Sequence, residues 1–468
     1  MAGYVPAMEH LASTLFSLTF PRHDTLLEAE AAGWIQKALA LDPNNWENMM
    51  TIASFYHHGW GLSKDEQLAK EWEEKVIQTG EARAFLYLAF SHARKSTLVH
   101  EPEKVMYFLK KAAEGDNIIA QVLLGLYYAG ETFKGDPIPL DPEQSRFWLE
   151  KGFHGGERGA ATQLGKLYYY GIGGYPRDLV KARDWLEQTS DSKFTKNAKY
   201  LLATIYWSGT QDMLPDKDKA VALFRKSAEQ GDAYAQFAMG QLYRGGLIGD
   251  KPDMAQAVIW YRQSAKKEFP LAMTMLGLMY LRGDGVAANP QEADFILRAA
   301  VTLFEETHAM YWLGILYQEG LGVEKNPAEA RARFLQGAEA GDPRAMVKLS
   351  LDLFDGKGGP QELSLAVHWA KKAAEKGLNF GYCWAGTLLH FGVGTPPDPE
   401  QSRTWLRQGS DTGLTLCNRA LQAESAHAPS TKETIPPLVH AVAGELSQLL
   451  NAAIEQPYPD VSFHLNVL

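Results

Sequence analysis

Small, apolar and aromatic residues recur along the chain in a fixed order, clearest in AMTMLGLMYLRGDGV (272–286), AMYWLGILYQEGLGV (309–323) and ATQLGKLYYYGIGG (161–174). The shared skeleton is Ala-x3-Leu-Gly-x2-Tyr-x2-Gly. Its Tyr, or the residue in that place, falls at Tyr56, His92, Tyr128, Tyr168, Tyr206, Tyr243, Tyr280, Tyr317, Leu353 and Leu389, in steps of 36 to 40 residues. So narrow a spacing over ten units is a structural repeat.

Within each unit the small residue (Ala84, Ala120, Ala160, Ala198, Ala235, Ala272, Ala309, Ala345, Gly381), the apolar residue four later and the aromatic four later again share one helical stripe. This predicts a first helix whose small positions let another helix approach. The Gly three residues past the Tyr (Gly59, Gly171, Gly209, Gly246, Gly283, Gly320, Gly356, Gly392) sits where a helix C-terminus favours positive φ. A polar loop follows, then a second amphipathic pattern, as in AVALFRKSAEQGD (220–232) and AVHWAKKAAEKG (366–377). Its bulky column (Trp72, Tyr107, Trp148, Trp185, Trp260, Trp369, Trp405) is expected to pack between helices. Gly-Asp at 115–116, 231–232 and 341–342 closes that helix and starts the next unit.

A helix–turn–helix of this length, with Ala-x3-Leu-Gly-x2-Tyr-x2-Gly, a Trp in helix two and a closing Ala-Ala-Glu-x-Gly-Asp, resembles the Sel1-like repeat, a relative of the tetratricopeptide repeat. The resemblance covers about residues 46–414. It implies an all-α fold, a right-handed α/α superhelical solenoid of helical hairpins used to hold other proteins. GWIQKALALDPNN (33–45) looks like the second helix and turn of a tetratricopeptide unit, so residues 1–45 are expected to cap the stack. Unit two departs from the pattern, with His92 for the Tyr, Lys95 for the turn Gly and the loop KSTLVHEP; longer loops follow at ETFKGDPIPLD (131–141) and GTQDMLPDK (209–217). Residues 415–468 leave the pattern: TLCNRALQAES as a partial unit, a polar linker AHAPSTKET, and PPLVHAVAGELSQLLNAAIEQ (436–456) as one longer helix capping the last unit's apolar face. The final PYPDVSFHLNVL is too apolar for a free tail.

Charge adds mainly exclusions. Forty-six Lys and Arg against 56 Asp and Glu leave a net charge of −10 with the signs interleaved, which disfavours a nucleic-acid partner. The two cysteines, Cys383 and Cys417, exclude a disulfide framework and have no metal-ligand spacing, so buried thiols are expected. The N-terminal stretch has no Lys or Arg before Arg22, no Cys lies near the start, and no run of about 18 apolar residues is free of charge. A soluble cytoplasmic protein without membrane insertion is expected.

No catalytic motif is found: there is no Gly-x-Ser-x-Gly, His-Glu-x2-His or Walker loop. GKGG (356–359) and GIGGYP (171–176) follow helices, not strands, and are read as turns. His57 and His58 are expected on different sides of a helix, unable to share a metal. No catalytic residue, cofactor site or metal site is assigned. Positions two before or five after the repeat Leu are expected to face outward or toward the next unit; they include Tyr200, Trp207, Phe237, Arg244, Tyr311, Gln318 and Phe354. Aromatics and Arg of this kind anchor peptides and protein loops, and packing between units is the competing role. The resulting expectation is a non-enzymatic scaffold or adaptor binding one or more proteins on its concave or loop surface. The resemblance also allows an immunity protein that neutralises a secreted bacterial toxin; a hydrolase with a site in the groove is the rival from another class. Neither the partner nor the oligomeric state follows from the sequence.

Overall fold

The computed structural model describes residues 4–19, 24–93, 102–131, 140–189, 196–249, 251–423 and 435–452. The linker 426–434, the tail 457–468, most of the unit-two loop and most of the 131–141 loop lie outside them. Two compact units divide the chain, 1–215 and 216–468. The first holds α1 (Tyr4–Thr19), α2 (Thr25–Leu41), α3 (Trp46–His58), α4 (Glu66–Gln78), α5 (Ala82–Ala93), α6 (Pro102–Glu114), α7 (Ile118–Tyr128), α8 (Pro142–His154), α9 (Gly159–Tyr170), α10 (Leu179–Glu187) and α11 (Lys196–Ser208). The second holds α12 (Lys217–Glu229), α13 (Ala233–Arg244), α14 (Met254–Ala265), α15 (Pro270–Arg282), α16 (Pro290–Phe304), α17 (Thr307–Glu319), α18 (Pro327–Glu339), α19 (Pro343–Asp355), α20 (Leu363–Glu375), α21 (Asn379–Phe391), α22 (Pro399–Asp411), α23 (Thr415–Gln422) and α24 (Pro437–Ala452). Among the described residues there is no strand, only an isolated bridge between Thr210 and Met213.

Local chemistry sets these boundaries. Asp and Asn side chains accept hydrogen bonds from the first free amides of many helices, as Asp232 does from Ala235 N at 2.8 Å and Asn326 from Glu329 N at 3.1 Å. At 115–116 the expected cap moves one residue: Asp116 takes positive φ and Asn117 accepts from Ala120 N. All eight turn glycines singled out from the sequence have positive φ, between 65° and 78°. The Gly after the repeat Leu serves a different end. A Cβ on Gly240 would lie 2.6 Å from the Tyr261 ring of α14, so only a bare Cα lets the two helices of that hairpin meet so closely.

The tryptophan column packs less deeply than expected. Trp148, Trp369 and Trp405 are buried, but Trp72, Trp185 and Trp260 are half-buried and Tyr107 is 50% exposed. The interior position is the next residue along, filled by Leu149, Leu186, Tyr261 and Leu406. Several rings of the column instead carry a lysine from the next turn, Lys75 over Trp72 at 3.7 Å and Lys372 over Trp369 at 4.7 Å.

In the second unit the first helices of the hairpins are buried on all sides. Every residue from Ala309 to Tyr317 in α17, and from Ala345 to Phe354 in α19, is withdrawn from solvent. Each such helix touches its own second helix, the second helix of the preceding hairpin and neighbouring first helices. A helix enclosed in this way has no polar face to spare.

Candidate partner-binding site

The first helices α17, α19 and α21 pack side by side, and α24 lies along them. This helix presents Val439, Val442, Leu446 and Leu450 on one stripe, all buried, with Ala443 beside them. Its C-terminal end reaches back to α17: the Tyr311 hydroxyl donates to the Leu450 carbonyl oxygen at 3.2 Å. Further along, His440 meets the Phe354 ring with centroids 5.2 Å apart, and Arg419 of α23 donates to Glu445 at 2.5 Å. A cap for the last unit alone would touch only α21 to α23. Instead α24 spans the first helices of three repeats, and covers Tyr311 and Phe354 of the set expected to meet a partner.

The floor of this groove is polar at one point. Lys348, 1% exposed, donates to Asn451 Oδ1 of α24 at 2.9 Å, and Asn451 Nδ2 donates to Glu319 Oε1 at 2.9 Å. One turn beyond Lys348, the buried Asp352 accepts from Gln318 Nε2 at 3.2 Å. Burial pushes the Lys348 ammonium down to about 8, against the pull of Asp352. Burial likewise pushes Asp352 up to about 6, with Lys348 opposing. Both groups therefore hold charge at neutral pH in surroundings that disfavour it.

These two residues break a column. One residue before the repeat Leu, the hairpins of the second unit carry Ala238, Met275, Trp312, Lys348 and Trp384; three residues after it they carry Leu242, Met279, Leu316, Asp352 and Leu388. Only α19 is charged at either place. The sequence carries that departure as charge in an otherwise apolar column.

The seven residues expected to line a groove divide in two. Tyr311 and Phe354 meet α24, and Gln318 donates to Asp352 of α19, in the contacts given above. Tyr200, Trp207, Phe237 and Arg244 are buried elsewhere: Phe237 packs on Tyr261 and Phe269, with centroids 5.6 and 5.3 Å away, and Arg244 Nε donates to Gln241 Oε1 at 3.2 Å. Of the two expected roles, an outward anchor or packing, burial at these four positions removes the outward one and leaves packing.

Other chemistry is sparse. The rings of His57 and His58 lie 4.8 Å apart, and their Nδ1 atoms serve separate partners, Glu66 and the Ser54 carbonyl. Among the described residues no three His, Cys, Asp or Glu side chains converge as a metal site. Cys383 and Cys417 are both buried free thiols, and the hydrogen bond between them, with burial, pushes the Cys383 thiol up, away from a reactive thiolate. Among the described residues no helix is long and apolar enough to cross a membrane.

Comparison with known proteins places this architecture. The protective antigen c5321 of uropathogenic Escherichia coli, which displays an SLR fold, is similar over 99% of this chain and 94% of its own, with a TM-score of 0.60 and 24% identity. A Sel1 repeat protein from Oxalobacter formigenes aligns over 75% of this chain and 90% of its own, at 24% identity and a TM-score of 0.41. The uncharacterized protein NMB1327 of Neisseria meningitidis serogroup B is 31% identical over 93 residues, so the chain spans 20% of that relative's length. The fold is that of an all-α helical solenoid. The family model of the Sel1 repeat matches residues 52–75, 118–156, 159–193, 196–232, 233–269, 270–293, 307–342, 343–378 and 380–413. It passes over the irregular unit two, where α5 and α6 nevertheless pack as a hairpin. Proteins of this repeat class generally mediate protein–protein interaction and are typically non-catalytic. With nine matched segments over more than half its length, the chain belongs to the Sel1 repeat family.

Proposed function

We propose that this protein is a non-enzymatic scaffold that binds partner proteins through the inner face of its second unit. One observation carries the proposal: the first helices of three successive hairpins together seat an amphipathic helix, α24, through an aliphatic stripe and three hydrogen bonds from or to their side chains. Helix-in-groove recognition uses the same elements, periodic apolar anchors and a few oriented polar groups. A surface already folded around such a ligand lowers the ordering cost of binding on the scaffold's side.

Affinity capture from native lysate of the source organism, with the intact chain as bait, tests this. At least one protein is expected to be retained reproducibly and to bind the purified chain directly in a two-component titration. One tight partner at one-to-one stoichiometry would favour an immunity role, and several weaker partners an adaptor role. Retention of no protein that binds directly overturns the scaffold proposal.

A further inference from the structure

We infer that α24 is an exchangeable resident of the groove, and that a partner protein enters by presenting an amphipathic helix with aliphatic residues at i, i+3, i+7 and i+11 and a side-chain amide at i+12. This rests on the scaffold proposal and specifies what the groove accepts. The spacing is that of Val439, Val442, Leu446, Leu450 and Asn451.

Three features point to exchange. The helix stands outside the repeat, and its polar ties run to residues far away in sequence, from Leu450 to Tyr311 and from Asn451 to Lys348. The groove floor is charged where neighbouring hairpins are apolar, although an apolar pair there would hold a permanent cap more firmly. Finally, α24 leaves that floor incompletely satisfied. Lys348 has three donor hydrogens and makes one hydrogen bond among the described residues. Gln318 Oε1 is buried and accepts none. A resident that under-uses the polar groups of its site leaves room for a competitor that uses more of them.

The same geometry selects an amide over a carboxylate. Asn451 accepts from Lys348 and donates to Glu319, so both ends of one neutral group are read. A carboxylate would keep the first bond but turn the second into a contact between two oxygen acceptors.

The test uses the full chain and a fluorescent peptide of residues 435–452. In the parent the tethered α24 competes at the high effective concentration of an intramolecular ligand. A Leu446→Glu chain, whose own helix is weakened, is expected to bind the peptide at least tenfold more tightly than the parent does. The peptide carrying Asn451→Asp is expected to bind that chain at least tenfold more weakly, and adding Lys348→Met to the chain should shift its preference toward a peptide carrying Asn451→Leu. In parallel, hydrogen exchange on the parent should show α24 amides exchanging at least tenfold faster than those of α17 and α19; this holds even if Leu446→Glu fails to fold. Peptide binding no tighter to a folded Leu446→Glu chain, or α24 amides as slow as those of α19, overturns the proposal. So do parent dimers that exchange α24 between copies, since the occupant would then be a second copy. If lysate partners are captured equally by parent and Leu446→Glu chains, the groove assignment fails while the scaffold proposal stands; if the peptide binds but no partner is captured, the reverse holds.

Discussion

Helices α17 and α19 are successive first helices of the same repeat, of equal length and equally enclosed, yet they fill one pair of positions differently. Where α17 buries Trp312 and Leu316, α19 buries Lys348 and Asp352. The hairpin does not need the charge, because four other hairpins of the second unit do without it. Asp352 takes its hydrogen bond from Gln318, one residue past the repeat Tyr of the preceding hairpin, and the equivalent place before α17 holds Leu281. The polar pair thus comes with its own neighbour across the repeat boundary and with Asn451 from α24. A repeated scaffold exposes such departures well: a position that breaks its column against local stability marks a demand other than folding.

Moving the charge to α17 should break the symmetry most severely. Leu316→Asp places a carboxylate where the preceding hairpin offers Leu281, and an unpaired buried charge costs about 3–5 kcal/mol. A fall in unfolding free energy of that size is expected from urea titration; a loss under about 1 kcal/mol would mean that the interior accepts charge anywhere, and α19 would lose its distinction. The converse change, Lys348→Met with Asp352→Leu, makes α19 resemble α17 and should stabilise the chain by about 1–4 kcal/mol. Its pH profile sharpens the comparison. Asp352 stands near 6 in the folded chain against an ordinary 3.8, so its contribution is greatest below 3.8 and is lost as pH rises through 6. Lys348 stands near 8 against 10.5, so its contribution is present above 10.5 and is lost as pH falls through 8. The parent should therefore show a shallow stability minimum between pH 6 and 8 that the double variant lacks; the same minimum in both would place its origin elsewhere.

The periodic parts of the molecule were legible in the sequence. The first-helix stripe, the positive-φ glycines and the close-approach glycines each follow from one residue type at one spacing, and α5 and α6 still pair as a hairpin in unit two, which carries Ala89 and Lys95 in place of the two glycines and which the family model passes over. Orientation around the helix was less legible. A stripe defines one buried face, but in the second unit first helices pack on several neighbours at once, so Phe237 and Tyr311 are as enclosed as the Leu positions they flank. The site was half legible. Tyr311 and Phe354 of the expected set meet α24, whereas the presence of that helix there depends on a contact between residues 139 apart, which no local pattern encodes.

The smallest expected effect lies where the two helices are alike. Both begin with a buried carboxylate cap: Glu306 accepts from His308 N and Ala309 N at 3.2 and 2.7 Å, and Asp342 from Arg344 N and Ala345 N at 2.7 and 3.2 Å. Burial alone would raise Asp342, but the Arg344 guanidinium, 3.0 Å away, outweighs it and holds the carboxyl below 3.8. In Glu306 burial is likewise outweighed, by His308 and by the hydroxyl of Thr274. Depressed carboxylates stabilise above their unfolded values and lose that contribution as pH falls through their folded ones, the opposite sense to Asp352 on the same helix. Asp342→Ala should cost about 0.5–2 kcal/mol at pH 7 and flatten the loss of stability below pH 3.8, while leaving the gain between pH 6 and 3.8 intact. Urea midpoints at pH 7, 5 and 3 separate the two limbs. Were the variant to lose the gain between pH 6 and 3.8 as well, cap and interior carboxylate would be coupled along α19, and its polar pair could no longer be treated as independent of the helix that carries it.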